Sequence, residues 1–294
     1  MATQVVFIQC VGHSGSTVLD LALGGHPRLV GLGEVHALVG PASAWRDRTA
    51  TERCSCDRTI DDCSFWGPVC ARLGELPDAT PGQRYRVILD AFAEAFGPEC
   101  IPVDSSKTLA ALKVLQEVEG VQIKVVRLIR DVRAWTVSMR DVCRREGDFR
   151  LRDLIRKHGI RGLLRYPRRM AIPCFLYWYR RNRRETRFLE REGIPTCQIG
   201  YEELALYPEP TLARVCEFLG IEPTGAMLDL EASGSHSILG NRMRLQKEKR
   251  RRIVYDCRWF WCRDWQLPAA LLPHIMRYNE RETYRHIRDG VWKG

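Results

Sequence analysis

Gly12, His13, Ser14, Gly15, Ser16 and Thr17 follow directly on the apolar run Val5–Val11 and lead into Val18-Leu19-Asp20-Leu21-Ala22-Leu23. The apolar run reads as a buried strand, and the stretch after Thr17 reads as a helix. A loop rich in glycine and hydroxyls at such a junction brings successive backbone N–H groups and a helix N-terminus to one point. That is an anion site, and it suits a phosphate. The Gly-Lys-Ser/Thr of an ATP- or GTP-binding P-loop is missing, and His13 is the only ionisable side chain of the loop, so an ordinary ATPase or GTPase is disfavoured.

Two further segments carry compatible chemistry. Ile101-Pro102-Val103-Asp104-Ser105-Ser106-Lys107 reads as a strand ending in two hydroxyls and a lysine. Val125–Ile129 delivers Arg130 to a strand end, and Ser138 lies eight residues on, within the next helix. Arg130 can fork onto phosphate oxygens while Ser138 adds a hydroxyl donor. Asp131 and Arg133 are expected to pair locally.

The sequence holds 12 cysteines. Cys10, Cys174, Cys197 and Cys216 sit in apolar runs that suit small buried hydrophobes, in keeping with a reducing compartment. Cys54, Cys56, Cys63 and Cys70 are a different case, because four thiolates can hold Zn²⁺. The Cys-x-Cys spacing is shorter than the usual gap of a zinc knuckle, so packed thiols or a local disulfide are favoured over a metal.

The elements that must position these groups alternate along the chain. Candidate strands are Val5–Cys10, Cys100–Val103, Gln122–Ile129 and Pro195–Ile199, and candidate helices are Tyr85–Phe96, Leu109–Glu119, Ala134–Arg145, Phe175–Glu192 and Pro210–Leu219. Such alternation predicts an α/β fold, a P-loop-like parallel β-sheet flanked by helices, with ligands gathered beyond the carboxyl ends of the strands. One domain is expected over residues 1–294, with helical insertions on the acceptor side at 35–99 and 140–185.

A chain of 294 residues, 45% hydrophobic and 28% charged, is an ordinary globular composition. The formal charge of +10 rests on arginine, since only seven lysines are present. Arginines are dense from Arg144 to Arg169, interleaved with Leu151, Leu154, Ile155, Ile160, Leu163 and Leu164. This reads as a basic amphipathic insertion: a solvated face or a cover over an anionic substrate, ahead of a peripheral membrane contact. The N-terminus lacks the basic region of a signal peptide, and no apolar stretch is long enough to span a bilayer, so a cytoplasmic location is expected.

The loop Gly12–Thr17, the Asp104–Lys107 segment and the Arg130-Asp-x-Arg-Ala-x-x-x-Ser138 motif together resemble the sulfotransferases that use 3′-phosphoadenosine 5′-phosphosulfate (PAPS). Gly25-His26-Pro27 and Gly33-Glu34 are similar to the bacterial, carbohydrate and tyrosyl-protein branch. Gly200-Tyr201-Glu202-Glu203-Leu204 and the stretch from His236 through Gly240-Asn241-Arg242-Met243-Arg244 fit as well. The resemblance spans roughly residues 5–265.

The resemblance implies that Gly12, His13, Ser14, Gly15, Ser16 and Thr17 hold the 5′-phosphosulfate and that Arg130 and Ser138 grip the 3′-phosphate, a group ATP lacks. Tyr201, Gly240, Asn241, Arg242 and Arg244 are implied to close over the nucleotide, and the product is PAP. Many relatives carry Arg or Lys where His13 stands, which shifts the charge on the bridging oxygen to Lys107. The Gly-rich C-terminal loop of cytosolic sulfotransferases is absent in its usual form.

Sulfuryl transfer needs an in-line acceptor oxygen, a base for its proton and positive charge on the departing oxygen, with positioning and electrostatics supplying most of the acceleration. Glu34 is the expected base, with His36 as the alternative, and Lys107 is expected to stabilise the leaving group. No catalytic Mg²⁺ is expected, because no acidic partner of the Walker-B kind accompanies the loop. The expected acceptor is a hydroxyl of a small molecule, glycan or glycolipid, and no nucleic-acid partner is expected. A related nucleotide kinase accounts only for the first loop, and a basic binding protein only for the charge.

Overall fold

Five parallel strands form one sheet in the order β2-β3-β1-β4-β5. They are β1 (Thr3–Cys10), β2 (Leu29–Gly33), β3 (Ile101–Lys107), β4 (Val121–Ile129) and β5 (Thr196–Gly200). The structure is a computed structural model that describes residues 3–41, 44–145, 170–246, 248 and 250–288. Val5 to Cys10 are all buried, as expected for a central parallel strand covered on both faces. Alternate side chains of β1 serve different cores: Val5 and Phe7 enter one hydrophobic cluster, and Val6, Ile8 and Cys10 the other.

The first face is covered by α3 (Trp66–Gly74), α4 (Pro81–Phe96) and α5 (Leu109–Gln116), and the second by α1 (Ser16–Leu23), α8 (Tyr201–Leu206) and α9 (Pro208–Leu219). The short α2 (Arg46–Thr49) precedes α3; α6 (Val132–Arg145) and α7 (Ala171–Arg191) pack on each other beyond β4. Three C-terminal helices, α10 (Gln266–Leu271), α11 (Pro273–Thr283) and α12 (Arg285–Arg288), complete the described chain. The start of α4 is set by its sequence. Pro81 opens the first turn, Thr80 Oγ1 accepts from the Gln83 N–H at 3.2 Å, and the Thr80 N–H donates to Gln83 Oε1 at 2.8 Å.

Strand order places β3 on one side of β1 and β4 on the other, so the carboxyl end of β1 lies where the connections diverge. Ligands of open parallel sheets collect at such a point. The alternating pattern therefore led to the correct α/β class, but two features differ from expectation. Leu29–Gly33 is a strand; the glycines at 31 and 33 disguised it. The strand foreseen as Cys100–Val103 runs through Lys107, because Asp104, Ser105 and Ser106 are all buried.

A further segment, Ser235–Ile238, extends the β2 edge. The His236 N–H donates to Gly31 O at 2.7 Å, the Ile238 N–H to Leu32 O at 3.2 Å, and the Glu34 N–H to Ile238 O at 3.0 Å. The expected insertion at 35–99 comprises α2 to α4. Residues 146–169, which carry most of the basic insertion, lie outside the described residues. Trp45, Phe65, Trp66 and Trp178 are buried core side chains. Among the described residues no helix is long and apolar enough to cross a membrane.

Candidate active site

Backbone geometry makes the loop after β1 into an anion cradle. His13 and Gly15 adopt left-handed conformations, with φ of 69° and 98°, and alternate with ordinary residues, which turns consecutive N–H groups inward. Two side chains hold the carbonyls on the other side: Trp135 Nε1 donates to Gly12 O at 2.8 Å, and Arg130 Nη1 donates to His13 O at 3.0 Å. Helix α1 then starts at Ser16, adding its dipole.

Tyr201, at the start of α8, closes one side of the cradle. A Cβ at Gly15 would lie 2.5 Å from Tyr201 Cδ2, so only glycine lets the ring pack there. The Tyr201 hydroxyl donates to Val254 O and accepts from the Asp256 N–H, both at 3.2 Å. The Arg130 guanidinium stacks over this ring at 4.7 Å and pairs with Asp256 Oδ2 at 2.7 Å. Its Nε is buried without a partner, a donor left for an acceptor the protein does not supply. Ser138 is buried on α6, and no hydrogen bond joins it to Arg130. Asp131 binds Arg133 in a local fork and also accepts from Asn279 at 2.8 Å and Tyr284 at 2.9 Å, anchoring the start of α6. Burial opposes its ionisation, but Arg133 and these donors outweigh burial and hold the carboxyl below its ordinary range.

At the opposite side, β2 and β3 each carry an irregular register near their carboxyl ends, between Gly31 and Gly33 and opposite Phe7 and Gln9. Such bulges re-aim side chains. Lys107 takes a left-handed φ of 68°, a strained choice for a non-glycine residue, and its ammonium forms an ion pair with Glu34. Behind them Asp104 is buried, accepting from Tyr85 Oη at 2.6 Å and from the Ser106 N–H at 2.7 Å. Burial raises its carboxyl despite these bonds. The Ser106 hydroxyl in turn accepts from the His36 N–H at 3.0 Å.

Gly240 joins the two sides. Its φ is 73°, and a Cβ there would sit 3.0 Å from Glu34 Oε1 and 3.5 Å from Thr17 Oγ1. Glu34, Lys107, Thr17 and Gly240, drawn from four separate stretches of sequence, thus share one corner. The rest of the 240–244 segment is arranged differently. Asn241 Oδ1 accepts from the Met243 N–H at 2.9 Å, and Arg242 is exposed. Arg244 is buried; Nη2 donates to Arg53 O at 2.9 Å and Nη1 to Asn241 O at 3.4 Å, while Nε has no partner among the described residues. Asp256, the partner of Arg130, went unnoticed in the sequence because a lone acid among basic residues carries no pattern.

Among solved structures, the sulfotransferase domain from the Synechococcus PCC 7002 olefin synthase is similar over 94% of this chain and 95% of that one, with 19% identity and a TM-score of 0.55. The sulfotransferase domain from the curacin biosynthetic pathway is similar over 92% of this chain and 98% of that one, with 17% identity and a TM-score of 0.55. At such identities the likeness is one of fold. No curated protein matches the chain at a significant level. The model of the sulfotransferase family matches residues 5–224, more than half of the sequence, and the chain belongs to that family.

Proposed function

We propose that the protein moves a sulfuryl group from PAPS to a hydroxyl acceptor. The observation that carries this reading is the pairing of two unlike ends around one anion cradle. One end holds Glu34, Lys107 and Gly240, and the other holds Arg130 stacked on Tyr201 with a buried, unpartnered Nε. A donor with both a 5′-phosphosulfate and a 3′-phosphate uses both ends. ATP uses only the first, and neither family membership nor the loop sequence favours a kinase.

In this reading the amides of Gly12–Thr17 and the hydroxyls of Ser16 and Thr17 bind the phosphosulfate, while Arg130 and Ser138 take the 3′-phosphate. Lys107 exchanges its Glu34 partner for the bridging oxygen, which frees the carboxylate to face the acceptor. The acceptor oxygen attacks sulfur as the sulfur–oxygen bond to the 5′-phosphate breaks. That electron pair leaves on PAP, and the hydroxyl proton passes to Glu34. A well-placed base contributes about 10²–10⁴ in rate, and a positioned cation on the leaving oxygen contributes on a similar scale.

The reading extends to acceptor charge. A groove of about 720 Å³ between α5 and α7 is lined by Lys113, Arg180, Arg183, Arg184, Arg187 and Arg191. It begins at Leu109, two residues beyond Lys107. A field of one sign in such a groove concentrates anions, which favours a hydroxyl compound that also carries negative charge.

Calorimetry with 3′,5′-ADP and 5′-AMP tests the donor assignment. The 3′-phosphorylated nucleotide is expected to bind far more tightly; equal affinities overturn the PAPS reading.

A further inference from the structure

We propose that Cys54, Cys56, Cys63 and His236 bind a structural Zn²⁺ that fastens the 35–99 insertion to the segment running along β2. The inference stands apart from the transfer chemistry, because none of the four residues belongs to the site described above.

The four donor atoms, three Sγ and one imidazole nitrogen, lie within 4.8 Å of one another. Cys63 Sγ is 3.1 Å and Cys54 Sγ 3.9 Å from His236 Nδ1. A tetrahedral Zn²⁺ with bonds of about 2.3 Å to sulfur and about 2.0–2.1 Å to nitrogen sets donor–donor separations of ~3.5–3.8 Å. The donors therefore need to close by at most about 1 Å. The sequence pointed to Cys70 as the fourth member; it is His236 instead, some 173 residues beyond Cys63 and supplied by a different segment.

The local backbone is built to present these atoms. Arg53 and Thr59 form an antiparallel bridge, and the turn between them is closed by the Cys54 N–H to Arg58 O at 2.9 Å and the Asp57 N–H to Cys54 O at 3.0 Å. Asp57, with a φ of 69°, completes the reversal. This tight knuckle supplies two donors from a Cys-x-Cys spacing that looks too short in the linear sequence. His236 is fixed on its own side by the β2 pairing and by Trp66 Nε1, which donates to His236 O at 2.5 Å. Its ring packs against Phe65 and Phe96, with centroids 6.0 and 5.7 Å away.

Charge provides a second, independent indication. Three thiolates on Zn²⁺ leave a net charge of −1 in a half-buried place, which a nearby cation stabilises. Two buried arginines stand there. Arg250 donates to Ser55 O at 3.3 Å, to Arg244 O at 3.1 Å and to Leu230 O at 3.2 Å, all carbonyls. Arg244 donates to Arg53 O, and its nearest carboxylate, Glu52, is 3.7 Å away. Arg244 thus pairs with Glu52 while Arg250 has no carboxylate partner among the described residues, and both lean on the knuckle backbone, where a negatively charged metal centre supplies a counter-charge. The soft S₃N donor set with no carboxylate selects Zn²⁺ over Mg²⁺ or Ca²⁺. A Cys54–Cys63 disulfide would leave Cys56 and His236 with no part in the cluster. Binding displaces the thiol protons, up to three per Zn²⁺, and involves no electron transfer.

The full-length protein, purified under reducing conditions without added metal, is analysed by elemental mass spectrometry and then, after stripping, titrated with Co²⁺. The expected result is one Zn²⁺ per chain, one Co²⁺ taken up with the intense visible bands of a tetrahedral centre and a thiolate charge-transfer band, and a lower Tm on chelation. Cys63→Ser and His236→Ala are expected to fall below about a tenth of an equivalent, whereas Cys70→Ser retains full occupancy. If those variants do not fold, X-ray absorption on the wild-type Zn²⁺ protein decides, with three sulfur and one nitrogen neighbours expected. A wild-type protein that holds no Zn²⁺ and takes up no Co²⁺, full occupancy in His236→Ala, or a Cys54–Cys63 disulfide in the reduced preparation each overturns the proposal.

Discussion

Glu34 and Lys107, 73 residues apart in sequence, meet as an ion pair across the bulged ends of β2 and β3. The pair places a carboxylate and an ammonium on the same corner of the anion cradle, so the proposed base and the proposed leaving-group cation start as each other's partner. Glu34→Gln is expected to lower kcat by about 10² or more while PAP affinity in calorimetry stays nearly unchanged, because the carboxylate meets the acceptor. His36→Ala is expected to have the smaller effect, since its backbone N–H, which holds Ser106, survives the change. Near wild-type turnover in Glu34→Gln beside an inactive His36→Ala that still binds PAP reverses the assignment.

Arg130 is shared between Tyr201 and Asp256, which makes Asp256 a competitor for any phosphate at that position. Burial works against ionisation of Asp256, but Arg258 and Arg130 outweigh it and hold the carboxyl well below its ordinary range, so it stays charged. Arg130→Ala is expected to weaken PAP binding by about 1.5–3 kcal/mol, the worth of charge-assisted hydrogen bonds. Asp256→Asn is expected to do the opposite and tighten it, by removing a like charge beside the phosphate. Titration calorimetry reads both; an unchanged Kd in Arg130→Ala moves the clamp elsewhere, and weaker binding in Asp256→Asn makes the carboxylate a positioning group for Arg130.

Much of this arrangement is legible in the sequence because the polar residues sit at the ends of apolar runs. The Gly12–Thr17 loop, Lys107 and Arg130 all announce themselves as punctuation after a strand. What stayed hidden depends on distance in sequence. Gly31 and Gly33 broke the hydrophobic pattern of β2, since their small size is demanded by Asp20 and Ile238 crossing close by, a tertiary requirement with no local signature. The resemblance places Arg244 over the nucleotide; its burial and its bond to the Arg53 carbonyl, set by a segment 191 residues away, have no local signature. The cysteine cluster was half visible: the sequence offered four thiols, of which Cys54, Cys56 and Cys63 come together, and only folding brought His236 to them.

Gly240 offers a direct probe of the shared corner. Gly240→Ala adds a methyl 3.0 Å from Glu34 Oε1 in a left-handed backbone position, at a conformational cost of roughly 1–2 kcal/mol. Because Gly240 is exposed, that cost is expected to appear as a modest fall in Tm, whereas the methyl crowds the Glu34 carboxylate and is expected to lower kcat disproportionately. Steady-state kinetics alongside thermal unfolding separates the two effects. Wild-type kcat with a lowered Tm places the Gly240 loop outside the transfer site.

Asp20 couples the pH dependence of stability to the same region. It is buried on α1, and Ser237 Oγ donates to its two carboxylate oxygens at 2.8 and 3.1 Å, tying α1 to the segment that leads into Gly240. Burial pushes its carboxyl from the ordinary 3.8 up to about 7, with the Ser237 bond acting against the rise. Between these values the folded chain keeps a proton that the unfolded chain releases. Its contribution to stability is therefore complete below a pH of about 4 and is lost as pH rises through about 7, a change on the order of a few kcal/mol. Asp20→Asn carries no charge at any pH and can still accept from Ser237. It is expected to remove this fall, so that the variant matches the wild type near pH 4 and exceeds it above pH 7 in denaturant unfolding. Parallel stability profiles for the two proteins across that range would show that Asp20 titrates as an ordinary carboxylate and that the α1–Ser237 tie is held by other contacts.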